Sequence, residues 1–82
     1  MKELKQYVKQ TNEWLAIFGD EPLTLTSAAD CRKIADRIDC DLSPENLTCD
    51  GELSGRALES RYKMLARAQQ QLRDVHLVLI NA

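Results

Sequence analysis

Residues 54–80 read SGRALESRYKMLARAQQQLRDVHLVLI and form the longest periodic stretch of the chain. Apolar side chains recur there at steps of three and four residues, as on one face of a helix. They are Leu58, Tyr62, Leu65, Ala68, Leu72, Val75 and Leu79. Ser54 can cap the helix N-terminus, and Leu53 and Leu58 occupy the positions of a hydrophobic staple. The stretch therefore predicts a helix of about six turns, the longest element of the fold. Its apolar end, His76 to Ile80, is compatible with a buried helix end, a short strand or a surface covered by another chain.

A first helix is predicted near the N-terminus, where apolar side chains show the same period. The stripe consists of Leu4, Tyr7, Val8, Thr11, Trp14, Leu15 and Phe18. Gly19 stands where a left-handed C-terminal cap is favoured, and Pro22 cannot prolong the helix, which is therefore expected to end near Phe18. Trp14 and Phe18 lie on the stripe. The pattern favours core positions for both, with an exposed partner patch as the alternative.

A second helix is predicted to begin around Ala28. Thr26 or Ser27 can cap it, and Asp30 carries a negative charge near its positive end. Its apolar stripe is formed by Cys31, Ile34, Ala35 and Ile38. The opposite face carries charged side chains, so one face is expected to be core and the other solvated.

The connection from Cys40 to Leu53 lacks periodicity and is punctuated by turn-forming residues. Ser43 is a good N-cap with Pro44 at the first helical position, so residues 44–47 are expected to form one helical turn. Residues 20–52 carry nine acidic and three basic groups, whereas residues 53–82 carry five basic and two acidic ones. Residues 1–82 therefore predict a single all-α domain, a small three-helix bundle with a long acidic loop between the second and third helices.

The 82 residues can enclose only one modest hydrophobic core. The longest apolar run, Leu77 to Ile80, is far too short to span a bilayer, so no membrane partner is expected. The N-terminus reads MKELKQ and lacks the apolar stretch of a secretory signal. A cytoplasmic location with reduced thiols is therefore predicted.

Three cysteines, Cys31, Cys40 and Cys49, and the single histidine, His76, are the candidate zinc ligands. Consecutive cysteines are nine positions apart, whereas structural zinc sites use close pairs of ligands. Cys31 also lies on an apolar stripe, where a thiol behaves as a small hydrophobe. The spacing therefore disfavours zinc, and a reducing compartment disfavours a disulfide between Cys40 and Cys49. No cofactor is expected.

Calcium binding and catalysis are disfavoured as well. If a calcium loop began at Asp39, Pro44 would occupy the position that requires glycine, and if it began at Asp41, Asn46 would do so. The chain has one histidine, no glycine-rich phosphate loop and no nucleophile elbow. We therefore expect that the protein is not an enzyme and that the acidic segment is solvated.

Two function classes stay open. In the first, the end of the third predicted helix contacts another protein or a second copy of the chain through Leu77, Leu79 and Ile80, because a small bundle cannot bury four consecutive apolar residues itself. In the second, nucleic acid binds to the basic face of that helix. Its candidate phosphate contacts are Arg56, Lys63 and Arg67. The acidic centre of the chain opposes phosphate, so the protein-interaction module is favoured.

Residues 43–54 read SPENLTCDGELS and are followed by Arg61-Tyr62. This motif resembles small uncharacterised proteins encoded by bacteriophages and prophages, and the similarity extends over residues 43–66. The resemblance implies a phage or prophage accessory protein, and it implies neither an activity nor a site residue. In physical terms the motif starts a turn at Ser43-Pro44 and reverses the chain at Asp50-Gly51.

Overall fold

The computed structural model describes residues 2–81, which contain helices and no strand. Four helices follow one another: α1 (Lys2–Ile17), α2 (Ala28–Asp41), α3 (Pro44–Leu47) and α4 (Gly55–Ile80). The prediction of an all-α fold is confirmed. The longest helix is α4, with 26 residues, and it continues through the apolar run 77–80, whose conformation the periodicity left undecided.

Helix α1 ends in a Schellman motif that Gly19 makes possible. The Asp20 N–H donates to the Leu15 carbonyl (3.0 Å), and the Gly19 N–H donates to the Ala16 carbonyl (3.2 Å). Gly19 has a φ of +72°, a conformation that costs glycine little because it has no Cβ. The predicted end near Phe18 is therefore confirmed.

A capping box starts α2, as Ser27 and Asp30 suggested. The Ser27 Oγ accepts the Asp30 N–H, and the Asp30 carboxylate accepts the Ser27 N–H, each at 3.2 Å. The carboxylate also accepts the N–H and the hydroxyl of Thr26, at 3.0 and 2.9 Å. These bonds, with the Thr26 N–H contributing most, lower the pKa of Asp30 to about 2.

The connection between α2 and α4 contains the single turn that was predicted from Ser43-Pro44. Helix α3 ends where Cys49 takes the left-handed conformation, with a φ of 51°, and the Asp50 N–H donates to the Glu45 carbonyl at 2.9 Å. Ser54 is the N-cap of α4, as predicted, although its side chain makes no capping hydrogen bond.

Helix α4 packs against each of the other three helices. The start of α1 is fixed to it by two hydrogen bonds of Gln71, whose amide oxygen accepts the Leu4 N–H (2.9 Å) and whose amide nitrogen donates to Glu3 (2.6 Å). Helix α2 is joined to α4 by a bond from the Gln69 amide to the Asp39 carboxylate, at 2.8 Å. The central core cluster consists of Leu4, Tyr7, Cys31, Ile34, Ile38, Leu65, Ala68 and Leu72.

The prediction that Trp14 and Phe18 belong to the core is wrong. Their side chains are 53% and 61% exposed. The extended segment after α1 folds back along that helix, where the Asn12 side chain bonds both the N–H (2.6 Å) and the carbonyl (3.0 Å) of Leu23. Leu23 and Leu25 then pack against the core and supply apolar surface that α1 alone was expected to provide.

Tyr62 is also outside the core, at 54% exposure, although it lies on the predicted stripe of α4. The buried residues of that helix are Leu65, Ala68 and Leu72. Counting back from them at 3.6 residues per turn reaches position 61 rather than 62, so Arg61 occupies the face that turns toward the other helices.

Candidate functional site

The last turn of α4 leaves most of its apolar surface in water. Leu77, Val78 and Ile80 are between 56% and 69% exposed. Leu79 is half-buried and packs against the core. Of the three residues predicted to contact a partner, Leu77 and Ile80 are therefore at the surface, and Leu79 holds the end of the helix to the rest of the protein.

A second group of exposed apolar residues lies at the end of α1. Trp14 and Phe18 pack against each other, with ring centroids 4.6 Å apart and the planes tilted by 57°. Ile17, between them in sequence, is even more exposed. The Arg37 guanidinium, from α2, lies 5.7 Å from the centroid of the Trp14 ring, within the range of a cation–π contact.

Trp14 also borders an open cleft of about 310 Å³ between α1, α2 and α4. The cleft is lined by Tyr7, Gln10, Thr11, Trp14, Arg37, Asp41, Arg61, Met64 and Leu65. The lining contains both polar and apolar side chains. We call these nine residues the arginine cleft, because two of them are arginines, Arg37 from α2 and Arg61 from α4.

Within the arginine cleft the Tyr7 hydroxyl donates a short hydrogen bond, 2.6 Å long, to the Asp41 Oδ2. Burial, and then this bond to a carboxylate, raise the pKa of Tyr7. The phenol therefore stays protonated at physiological pH and keeps donating. One oxygen of the only carboxylate in the cleft is thereby occupied by the protein itself.

The two arginines of the cleft are poorly satisfied. The Nε atoms of Arg37 and Arg61 are buried and have no hydrogen-bond acceptor in residues 2–81. Arg61 makes one long bond, from Nη2 to the Asn46 carbonyl at 3.5 Å. Neither guanidinium forms an ion pair with a carboxylate of the described chain, in which the pairs are Lys63–Glu59 and Arg67–Glu3.

Those two pairs involve the predicted phosphate contacts. Lys63 lies 3.0 Å from the Glu59 carboxylate one turn earlier, and Arg67 lies 3.4 Å from Glu3 of α1. Arg56 is exposed near the start of α4. Two of the three cations that the sequence groups on one face are therefore already next to an acidic side chain, which lowers the positive potential that a phosphate would meet.

The candidate zinc ligands do not come together. Cys31 is buried and lines a small surface pocket with His76, but Cys40 and Cys49 do not line that pocket. All three cysteines are free thiols, and no group of three or more metal-ligating side chains is found among residues 2–81. Burial raises the pKa of the Cys31 thiol, which keeps it protonated and poorly reactive.

The carboxylates of the candidate calcium loop also diverge. Asp39 accepts a hydrogen bond from Gln69 of α4, whereas Asp41 accepts one from Tyr7 of α1. The two side chains are thus used to join α2 to different helices, and they do not converge on one point.

Sequence reasoning missed the arginine cleft. The available signal was Arg61, a charged residue one turn before Leu65 on the face that continues through Ala68 and Leu72. A charge on a core-facing position indicates either a buried pair or a polar cleft. No comparable signal marks Arg37, because it lies at the edge of the α2 stripe.

Within residues 2–81, no helix combines the length and the apolar character that crossing a membrane would require. The chain matches no family model, no curated protein and no solved structure. The similarity of residues 43–66 to phage and prophage proteins stays a prediction.

Proposed function

We propose that this chain is a non-enzymatic protein-interaction module, built as a three-helix bundle and acting in the cytoplasm as an accessory protein of a phage or prophage. Its principal contact surface is the last turn of α4, which binds a second copy of the chain or another protein. The phage setting rests on the motif at residues 43–54, and the contact surface rests on exposed apolar side chains.

The observation that carries the proposal is the number of large apolar side chains exposed to water, compared with the number of residues buried in the core. The buried core has nine residues. Seven further large apolar side chains are more than half exposed: Trp14, Ile17, Phe18, Tyr62, Leu77, Val78 and Ile80. Single exposed apolar residues are normal, but groups of them at one helix end are typical of protein contact sites.

The end of α4 is suited to such a contact because it is both apolar and fixed. Leu79 anchors the turn to the core, so its neighbours Leu77, Val78 and Ile80 are held in a helix and lose little conformational freedom on binding. Burying their side chains would release about 25 cal/mol for each Å² of apolar area removed from water.

The nucleic-acid alternative has less support. Two of its three cations, Lys63 and Arg67, are paired with carboxylates, and the formal charge of the chain is −2. A DNA-binding surface needs unpaired cations that can replace counterions along the phosphate backbone.

The proposal can be tested by sedimentation velocity over a wide range of protein concentrations, with affinity capture from a host lysate as a second readout. The test variant is the double substitution Leu77→Asp with Ile80→Asp. Asn81→Asp is the control: it adds one negative charge, against two in the test variant, at the same helix end and removes no apolar surface. We expect the parent and Asn81→Asp to associate or to capture the same protein, and the double variant to do neither.

The opposite result is equally clear. The proposal fails if the parent stays monomeric, if the parent and the double variant capture the same proteins, and if the parent binds duplex DNA at physiological salt with a steep salt dependence.

A further inference from the structure

The geometry points to a carboxylate-binding function for the arginine cleft, in which Arg37 and Arg61 hold one acidic side chain of a partner peptide and Trp14 packs against an apolar neighbour of that side chain. The inference rests on the proposed function, because it names the chemistry of a protein partner. It concerns a different surface from the end of α4, so the two can be tested separately.

The first argument is the unmet hydrogen-bonding demand of the two arginines. A guanidinium carries five N–H donors and is always charged, so burying part of it without an acceptor is costly. In the arginine cleft both Nε atoms are buried without a partner in residues 2–81. An incoming carboxylate, which accepts two parallel bonds from one guanidinium, would meet this demand once the side chains rotate to expose these N–H groups.

The second argument is the charge balance of the cleft. The charged residues of the lining are Arg37, Arg61 and Asp41, so it carries a net charge of +1. One singly charged anion brings the cleft to neutrality. A phosphate dianion would leave an excess negative charge close to Asp41, which already shares its Oδ2 with the Tyr7 hydroxyl. The balance therefore favours a carboxylate over a phosphate.

The third argument concerns what surrounds the charge. The Trp14 ring borders the cleft, and Phe18 extends the same aromatic surface beyond it. Arg37 is positioned over Trp14 by a cation–π contact, so the charge and the apolar surface are held next to each other. Tryptophan and arginine are the residues most often responsible for affinity at protein interfaces.

The size of the cleft agrees with a single side chain as its occupant. Its volume of about 310 Å³ is at the lower limit for small-molecule sites, and the cleft is open to solvent. An acidic side chain can enter the cleft while the peptide backbone and its apolar neighbours remain outside on the aromatic surface.

We would titrate the ¹⁵N-labelled chain with acetyl-leucyl-glutamyl-leucinamide and observe the Arg Nε–H and Trp indole N–H resonances. The matched probe is acetyl-leucyl-glutaminyl-leucinamide, in which a neutral amide of the same shape replaces the carboxylate, and inorganic phosphate is the third probe. We expect the dissociation constant of the glutamyl peptide to be at least about tenfold lower than that of the glutaminyl peptide. The glutaminyl peptide cannot form the charge-assisted hydrogen bond to the arginines. The shifts should centre on Arg37, Arg61 and Trp14.

The variants Arg37→Gln and Arg61→Gln should each weaken binding of the glutamyl peptide about tenfold. Arg32→Gln on α2 and Arg56→Gln on α4 are the controls, because both arginines are exposed and do not line the arginine cleft. Arg61→Lys keeps the charge but loses the forked donor geometry, so it should bind the glutamyl peptide more weakly than the parent and more tightly than Arg61→Gln. Circular dichroism of every variant establishes that it is folded.

The inference is wrong if the two peptides bind with equal affinity, or if the glutamyl peptide does not bind at millimolar concentration. It is also wrong if the resonances that shift belong to residues outside the cleft, or if phosphate binds as tightly as the glutamyl peptide. If Arg61→Gln abolishes self-association of the parent, the occupant is a second copy of the chain and the inference is also wrong. The Leu77→Asp, Ile80→Asp variant should keep its affinity for the glutamyl peptide, which separates a failure here from a failure of the proposed function.

Discussion

The C-terminal ends of α1 and α4 both leave large apolar side chains in water, but they are constructed differently. At the end of α1, Trp14 and Phe18 pack against each other and border a cleft that contains two unpaired guanidinium groups. At the end of α4, the exposed surface of Leu77, Val78 and Ile80 is purely apolar.

The difference bears on what each end can recognise. Hydrophobic burial has no direction, so the α4 end supplies binding free energy with little selectivity. Hydrogen bonds to charged groups require matching geometry, so the α1 end can distinguish one partner from another. Both ends depend on a shared core and on the way in which each helix stops, and substitutions in the core and at the helix ends test these dependences.

The largest effect is expected in the core that supports both ends. Ile34→Ala and Leu65→Ala should each lower the free energy of unfolding by about 2–5 kcal/mol, because both side chains are fully buried. Urea denaturation followed by circular dichroism measures this change. Ile80→Ala, at an exposed position, should stay within about 0.5 kcal/mol of the parent. Core variants that unfold at the same urea concentration as the parent would show that the assigned core is wrong.

The second effect separates the anchor of the α4 end from its surface. Leu79→Asp should lower the free energy of unfolding by about 1–3 kcal/mol, since it places a charge where a half-buried side chain packs against the core. Ile80→Asp should lower the free energy of unfolding no more than Asn81→Asp does, because both substitutions introduce only an unfavourable charge at the helix C-terminus. Equal stability of the Leu79 and Ile80 variants would mean that the turn is not anchored.

The third effect compares how the two helices end. Gly19→Ala should destabilise the protein by about 1 kcal/mol, because alanine adopts a positive φ less readily than glycine. Asn81 has a φ of −98°, so Asn81→Ala should change stability by less than about 0.5 kcal/mol. Thermal unfolding of the two variants provides the comparison. A Gly19→Ala variant as stable as the parent would show that the Schellman motif is dispensable.

The smallest effect concerns the polar start of α2, which makes the protein sensitive to acid in a way that neither apolar end does. The pKa of Asp30 is lowered to about 2, chiefly by the Thr26 N–H. Because the unfolded value is about 3.9, the stabilisation by the ionised form is complete above that pH and is lost as the pH falls from about 4 to about 2. Urea denaturation across this range should show a steeper loss for the parent than for Asp30→Asn. Parallel curves would contradict the assignment.

The sequence predicted the helices well because their signals are local. Each signal involves residues within one or two helical turns of each other. Examples are the apolar period of Cys31, Ile34 and Ile38 and the caps at Gly19 and Ser27. Helix type and helix ends depend on just such short-range hydrogen bonds and side-chain positions.

The candidate site was predicted only in part. Leu77 and Ile80 were placed correctly at the surface because no single helix face can bury four consecutive apolar residues. Leu79 belongs to the same predicted set, yet the structure uses it as an anchor. Lys63 and Arg67 share a face as predicted, but the pairing of Arg67 with Glu3 joins residues 64 positions apart, and no local pattern reveals it.

The sequence by itself determined that this chain is helical, where its helices begin and where α1 ends, and that some apolar surface remains outside the core. Only the tertiary structure decided that this surface includes Trp14 and Phe18 but not Leu79, and that Arg37, Arg61 and Trp14 line one cleft. The reason is physical: helix periodicity defines a face, but the burial of a residue on that face depends on which distant segment packs there. Here the segment that carries Leu23 and Leu25 covers one side of α1 and leaves its aromatic end in solvent.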